Sequence, residues 1–338
     1  IGGIDADVII ANFGETATAK DGDNIIIGDS GLIDWTGADR GGQLAGDDTN
    51  PADIDRAWSI DEDHGGNDTI TTGDGNDIII GGEDGEIISE VDIDGDALSV
   101  AAVQGDSTDG DIIHAGNGNN VVIGDNGRLS AARDEAPQLT GIPMTFGIIT
   151  TGDSLIGGSD RIYVGSGHDI VFGGIDEDII VGGSNGQGGY VPSEGNNIII
   201  GDSGYIDWTG AEGHHTTSEA GDDTDASDID RIVSTDENHG GNDLILTGAG
   251  TDIIIAGEDG EVVSDVIVAG VETEARTVTG QTVDGDTVDA GQGNNLVLGD
   301  NGKIIAAWNL DDEGRKISEI QFGTIAITLG LVESGDSL

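Results

Sequence analysis

Aspartates recur at a spacing of nine residues in and just before the segment Gly165–Gly183, which reads GSGHDIVFGGIDEDIIVGG. Asp160, Asp169 and Asp178 each stand two residues before an apolar side chain, and glycines cluster in the residues that precede them. Glycine adopts the positive φ values of tight turns at little cost and lets neighbouring backbones approach closely. The spacing therefore predicts Gly-rich turns of about six residues that alternate with strands of about three, with one carboxylate closing each turn.

The same register continues through the rest of the chain. In TGDGNDIII at Thr72–Ile80, for example, Asp77 stands two residues before Ile79. The other acidic residues in this register are Asp7, Asp55, Asp68, Glu86, Asp111, Asp230, Asp243, Asp252, Glu261 and Asp286. Asparagine takes the position at Asn24, Asn120, Asn197 and Asn295. A GDSG or GDNG sequence follows each asparagine, and we expect the aspartate in it to supply the missing charge: Asp29, Asp125, Asp202 and Asp300.

Long segments of the chain are duplicated. IIIGDSGLIDWTG at Ile25–Gly37 returns 173 residues later as IIIGDSGYIDWTG at Ile198–Gly210. We predict two tandem units of about 177 residues, at 1–171 and 172–338. Both ends fall within a unit, so we interpret the sequence as a window of a longer array.

Matched insertions interrupt the register in both units. One surrounds the IDWTG sequences, a second follows Glu86 and Glu261, and a third lies at Ala131–Ile149 and again at Ala306–Ile325. We expect the third to form a protruding hairpin or loop. Helical periodicity is absent because glycine and β-branched residues dominate every regular segment.

Composition restricts the class of protein. The 338 residues carry 67 acidic and 11 basic side chains, for a formal net charge of −56, which argues against binding to nucleic acid or to anionic membranes. Hydrophobic residues make up 35% and gather in short Ile and Val runs, which a disordered polyanion lacks. Cysteine is absent, so disulfides and thiolate metal sites are excluded. No apolar run is long enough to insert into a membrane as a helix.

The repeating unit resembles the nonapeptide G-G-x-G-x-D-x-U-x of RTX (hemolysin-type) proteins. The resemblance implies an all-β fold, a right-handed parallel β-roll or β-solenoid, in which the turn aspartate and backbone carbonyls bind Ca2+ between adjacent turns. Carried over by position, it implies metal ligands at Asp68, Asp77, Asp160, Asp169, Asp178, Asp243 and Asp252. The same register, with weaker glycine context or a longer side chain, adds Asp7, Asp111, Asp286, Glu86 and Glu261.

Stacked turns give the calcium prediction a physical basis. Equivalent turns of successive coils lie about 4.8 Å apart, so their carboxylates repel one another unless they share a cation. Ca2+ accepts six to eight oxygens in flexible geometry, whereas Mg2+ demands tighter octahedral coordination. Uninterrupted nonapeptides come only about three at a time, so we expect clusters of calcium ions rather than one continuous ladder.

We therefore predict a calcium-stabilised structural repeat of a long extracellular bacterial protein, either the stalk of a surface adhesin or the subunit of a fibre. The resemblance implies type I secretion, folding outside the calcium-poor cytosol, and neighbouring repeat units as partners. The alternative is a carbohydrate- or partner-binding module that uses the insertions around Trp35 and Trp208, although we favour packing roles for both indoles. No enzyme is predicted, because no nucleophile accompanies His64 or His239; we interpret both as turn residues, with a second metal site as the alternative.

Overall fold

The computed structural model describes residues 1–11, 22–36, 51–83, 110–132, 137–152, 156–183, 195–209, 227–235, 240–258, 266–268, 271–273, 285–306 and 324–335. Every regular element within these ranges is a β-strand, which confirms the all-β prediction. The same ranges hold no helix with the length and apolar character needed to cross a membrane.

The described residues form twenty-four short strands rich in Ile and Val, residues that suit a pleated and buried surface. In chain order they are β1 (Val8–Ile10), β2 (Ile25–Ile27), β3 (Gly31–Asp34), β4 (Arg56–Ser59), β5 (Thr69–Thr71), β6 (Ile78–Ile80), β7 (Ile112–Gly116), β8 (Val121–Ile123), β9 (Gly127–Ala131), β10 (Phe146–Thr151), β11 (Arg161–Val164), β12 (Ile170–Phe172), β13 (Ile179–Gly182), β14 (Ile198–Ile200), β15 (Gly204–Asp207), β16 (Arg231–Ser234), β17 (Leu244–Leu246), β18 (Ile253–Ile255), β19 (Val266–Val268), β20 (Val271–Thr273), β21 (Thr287–Asp289), β22 (Leu296–Leu298), β23 (Gly302–Ala306) and β24 (Leu329–Ser334). β19 and β20 form a separate antiparallel pair.

Fourteen strands form two parallel sheets of seven strands each. Sheet I has the order β1-β5-β7-β11-β13-β17-β21, and sheet II has the order β2-β6-β8-β12-β14-β18-β22. Each strand of sheet I is followed along the chain by its partner in sheet II; we call each such pair a layer and number the layers 1 to 7 from β1–β2 to β21–β22. Successive layers pair in register, with Ile9 opposite Ile70 in sheet I and Ile26 opposite Ile79 in sheet II.

Apolar residues near the middle of the strands pack between sheets I and II and form the first core, except in β22, where Val297 is exposed. These residues stand two positions after the register acids and amides, as Ile70 does after Asp68. The buried members are Ile26, Ile70, Ile79, Ile113, Val122, Ile162, Val171, Ile180, Ile199, Ile245 and Ile254. A shift of one residue would turn this set out of the core, so the burial fixes the register.

Four hairpins form a third sheet. The hairpins β3–β4, β9–β10, β15–β16 and β23–β24 follow layers 1, 3, 5 and 7, and their strands pair antiparallel in the order β24-β23-β16-β15-β10-β9-β4-β3. A hairpin is two strands, or about 9.6 Å, wide, which is also the thickness of two layers. Hairpins from every second layer therefore meet edge to edge and make sheet III continuous.

Sheet III packs on the outer face of sheet II and encloses a second core. Ile80 and Ile123 of sheet II share this core with Leu129 and Phe146 of sheet III. Because sheet II is buried on both faces, its strands are unbroken apolar runs such as III and VVI. Sheet I has half-buried outer positions and mixes in polar residues there, as in the TIT sequence of β5.

Two sequence-based expectations need correction. The segment Ala131–Ile149 belongs to a hairpin, since β9 pairs antiparallel with β10, but its described residues do not protrude, because Leu139 and Met144 are buried in the second core. Asp55 and Asp230 share the register spacing, but each precedes a strand of antiparallel sheet III, β4 or β16, and so lies outside the layers. Most of the matching insertion, Ala306–Ile325, lies outside the described residues.

Candidate metal-binding edges

The register residues line two edges of the stacked layers. Edge one contains the turns that lead into sheet I, and its register residues are all aspartates: Asp7, Asp68, Asp111, Asp160, Asp178, Asp243 and Asp286. Edge two contains the turns from sheet I to sheet II, where asparagine and aspartate alternate: Asn24, Asp77, Asn120, Asp169, Asn197, Asp252 and Asn295. Because each layer holds two repeats, successive nonapeptides place their register residues on alternate edges.

A ladder of hydrogen bonds connects the layers along edge one. From layer 2 onward, each register aspartate accepts a hydrogen bond on Oδ1 from the backbone N–H of the register residue in the preceding layer. The Asp68 N–H, for example, donates to Asp111 Oδ1 at 2.5 Å. Six such bonds connect the seven layers, with N···O distances of 2.5–2.9 Å. The ladder fixes one oxygen of each carboxylate and leaves the other for the turn.

The second carboxylate oxygens on edge one face turn carbonyls. Oδ2 of Asp68 and of Asp178 is buried and accepts no hydrogen bond from the described residues. A Cβ placed on Gly28 would lie 2.1 Å from Asp68 Oδ2 and 2.3 Å from the Gly81 carbonyl oxygen. At Gly173 the distances are 2.1 Å to Asp178 Oδ2 and 2.0 Å to the carbonyl oxygen of the next layer. Glycine thus leaves room beside two oxygens at one point, which suits a hard cation.

A second set of aspartates reaches edge one from alternate layers. Asp29, Asp125 and Asp202 each stand two residues after a strand of sheet II. Asp125 accepts the N–H of Gly158 at 3.0 Å and that of Ile175 at 2.7 Å, so its carboxylate connects two other turns. These aspartates add negative charge to an edge that already has one carboxylate in every layer.

Repulsion between carboxylates is therefore strong on edge one. Burial raises the pKa of Asp29 to about 8, and repulsion from Asp68 adds to the shift. Burial, together with repulsion from Asp243, raises the pKa of Asp178 well above its ordinary value. A bound cation removes both causes, because it replaces the lost solvation and offsets the repulsion.

Edge two has the same backbone ladder with a different charge pattern. The Asn120 N–H donates to Asp169 Oδ1 at 2.9 Å, and the Asp169 N–H donates to Asn197 Oδ1 at 3.0 Å. Burial raises the pKa of Asp169 to about 8, and the hydrogen bonds from Asn120 oppose the shift. Asp169 Oδ2 is also buried without a hydrogen bond from the described residues.

Comparison with known families identifies the repeating unit. A family model for the RTX calcium-binding nonapeptide repeat matches four segments, at residues 63–86, 107–128, 156–185 and 239–260. The chain contains RTX repeats. Repeats of this family bind calcium ions, so calcium is the cofactor and that prediction is confirmed. The chain gave no match among curated proteins or among solved structures.

The RTX turns must bind calcium with backbone and side-chain oxygens together. No group of three or more His, Cys, Asp or Glu side chains in the described part of the chain is placed to hold a metal ion. Ca2+ needs six to eight oxygens, so turn carbonyls, such as that of Gly81 beside Asp68, must complete each site. The carboxylates supply the charge, and the glycines supply the space.

The structure places the predicted ligands on both edges. Edge one holds the register aspartates Asp7, Asp68, Asp111, Asp160, Asp178, Asp243 and Asp286, and also Asp29, Asp125 and Asp202. Edge two holds Asp77, Asp169 and Asp252. Asp300 follows β22 in layer 7 and is exposed. Glu86 and Glu261 lie outside the described residues.

The other candidates from the sequence are two histidines and two tryptophans. His64 is an exposed turn residue whose N–H donates to the Asp61 carbonyl oxygen at 3.0 Å, and His239 lies outside the described residues. Trp208 is buried in the second core, with its ring centre 5.6 Å from that of Phe146, as a packing role predicts. Trp35 is 42% exposed, so the two indoles have different environments.

Proposed function

We propose that this RTX chain is a calcium-stabilised structural repeat of a long extracellular bacterial protein, which serves as the stalk of an adhesin or as the subunit of a fibre. The observation that carries the proposal is the row of aspartates in consecutive layers of edge one. Oδ2 of Asp68 and of Asp178 is buried there without a hydrogen bond from the described residues. Without cations, the carboxylates of neighbouring layers repel one another. With cations bound between them, the same carboxylates hold the layers together. Calcium then acts as part of the fold.

The fold that we propose is a right-handed parallel β-roll of two tandem units, 1–171 and 172–338. Its support is the matched order of layers and hairpins. The hairpin β3–β4 follows layer 1 and the hairpin β15–β16 follows layer 5. The same IDWTG sequence begins at the last two residues of β3 and of β15. Each unit then comprises about four layers.

The ends of the stack support lengthwise association with further repeat units. The exposed large hydrophobic side chains of the described residues lie in or beside layers 1 and 7 and their hairpins: Ile1, Ile4, Val8, Ile10, Trp35, Ile60, Val297 and Val332. In the described structure the terminal strands β1, β2, β21 and β22 each pair on one side only. Open parallel edges with apolar side chains favour strand addition, and a neighbouring repeat unit fits that need.

We also propose secretion by a type I system and folding outside the cell. RTX repeats are typical of proteins secreted in this way. A chain with a net charge of −56 expands when cations are scarce. Outside, each ion that binds only the folded state stabilises it by RT ln(1 + [L]/Kd). We propose no enzymatic activity, and a sugar-stacking role for both indoles is disfavoured because Trp208 is buried.

A calcium titration followed by far-UV circular dichroism tests the proposed function. At neutral pH we expect the calcium-free chain to lack a β spectrum and to gain one cooperatively as Ca2+ is added. Mg2+ should not replace Ca2+, because its octahedral geometry suits the mixed carboxylate and carbonyl ligands poorly. An unchanged β spectrum after exhaustive chelation would overturn the proposal, since the aspartate row would then stand without ions.

A further inference from the structure

The two edges of the RTX stack differ in charge in a regular way. Edge one has a register aspartate in all seven layers, whereas edge two has one only in layers 2, 4 and 6. Asparagine occupies edge two in the layers that carry a hairpin. In each of these layers an aspartate follows five residues later, at the other end of the sheet II strand; Asn24 and Asp29 are one such pair. In every layer that is followed by a hairpin, the sequence thus has an amide instead of a carboxylate on edge two and an additional aspartate at the edge-one end of the strand.

The asparagine amides use carbonyl oxygens that a cation on edge two would need. Asn24 Nδ2 donates to the Gly22 carbonyl oxygen at 2.8 Å, and Asn295 Nδ2 donates to the Ala290 carbonyl oxygen at 2.5 Å. Both carbonyls belong to the turn that the asparagine closes. An amide donor directed at a turn carbonyl repels a cation from that oxygen, and it adds no negative charge in return.

Each gap between neighbouring layers consequently differs between the two edges. A gap on edge one contains two register carboxylates, such as those of Asp68 and Asp111. A gap on edge two contains one carboxylate and one amide, such as Asp169 and Asn120, and the amide Nδ2 donates to Asp169 Oδ1 at 3.1 Å. Calcium affinity rises with the number of charged ligands, so the edge-two gaps are the poorer sites on two counts.

We propose that calcium binds along edge one only, and that a metal-free ladder of asparagine–aspartate hydrogen bonds holds edge two. The inference rests on the proposed calcium-dependent function and assigns its ions to one of the two edges. It departs from the expectation that Asp77, Asp169 and Asp252 are ligands. The residues that decide the difference are Asn24, Asn120, Asn197 and Asn295.

A matched pair of variants of the full chain tests the assignment. Asp178 on edge one and Asp169 on edge two lie nine residues apart in one RTX segment, and each is 1% exposed. Each accepts a ladder hydrogen bond on Oδ1, at 2.7 Å and 2.9 Å, which asparagine can also accept. We expect Asp178→Asn to lower the number of Ca2+ bound by at least one in calorimetric titration and to raise the calcium midpoint of folding. Asp169→Asn should leave the number of bound ions unchanged, and an equal loss of ions in this variant would overturn the inference.

A gain-of-site variant gives an independent measurement. Asn120→Asp places carboxylates in three consecutive layers of edge two, between Asp77 and Asp169. We expect it to bind at least one additional ion, counted with Ca2+ and checked by Tb3+ luminescence. If this variant does not fold, the pair Asp178→Asn and Asp169→Asn decides alone. A wild-type chain that binds no Ca2+ would overturn the proposed function, whereas normal binding with equal losses at both edges would overturn only the edge assignment.

Discussion

The calcium-free chain should lose its β-structure as the pH rises from about 5 to about 8. The expected cause is the group of buried carboxyls whose pKa in the folded chain lies far above the ordinary value of 3.8. The pKa is raised to about 8 for Asp29 and Asp169 and to about 6 for Asp68, in each case mainly by burial. The folded chain holds these protons over a range in which the unfolded chain has lost them. Their contribution to stability is therefore complete below about pH 4 and disappears as the pH rises through the folded pKa values.

The size of this effect makes it easy to observe. One pKa unit corresponds to about 1.4 kcal/mol, so a carboxyl as deeply buried as Asp169 contributes on the order of several kcal/mol. Thermal unfolding followed by circular dichroism, on chain depleted of calcium by a chelating resin, measures the free energy of unfolding at each pH. Stability that is independent of pH across this range would contradict the prediction.

Saturating calcium provides the control and should reverse the sign. Ca2+ binds the ionised carboxylates of edge one, such as those of Asp29 and Asp68, so it lowers their pKa values and competes with protons there. With calcium present, we expect acidification to destabilise the chain as the ions are released. The two titrations should therefore converge at low pH and separate widely near pH 8. A calcium effect that is equal at both ends of the range would mean that protons and calcium act at different groups.

The positions of the register acids were predictable because the nine-residue step ties the turn chemistry to the strand that follows. Asp68 closes a turn, and Ile70 must enter the first core two residues later. A carboxylate in this register therefore cannot leave the edge without removing an apolar residue from the core. Each layer holds two repeats, so the sequence also assigns successive register residues to alternate edges. It therefore encodes the change from Asn24 in layer 1 to Asp77 in layer 2 of edge two.

Sheet III was not predicted, because the sequence evidence for it lies in the strands of sheet II that it covers. The nine-residue pattern needs only the middle residue of each strand to be apolar, yet Ile25–Ile27 and Ile78–Ile80 are apolar throughout. A second buried face explains the extra residues. Asp55 matches the register by spacing alone. The direction of β4 depends on its pairing with β3 and β9, and the latter contact joins segments far apart in sequence.

Gly124→Ala should destabilise the calcium-loaded chain by about 3 kcal/mol. A Cβ at this position would lie 1.9 Å from Asp160 Oδ2 and 2.4 Å from the Gly173 carbonyl oxygen. These are the carboxylate and turn carbonyl of edge one, so the methyl group would occupy space between two layers and push apart oxygens that share a cation. Urea denaturation at saturating calcium measures the loss, and the calcium midpoint of folding should rise at the same time.

Gly299→Ala is the control for this prediction because it makes the same change in the same GDNG sequence. Gly299 follows β22 in layer 7, where the described residues provide no further layer, and a Cβ there has no atom within 4 Å. We expect its effect to stay within about 0.5 kcal/mol. The two glycines differ in whether a layer lies beyond them, so the difference between the variants measures the contact between layers. Equal losses would mean that both substitutions act through the local backbone. The close approach of Gly124 to Asp160 Oδ2 and to the Gly173 carbonyl oxygen would then not explain why glycine occupies these turns.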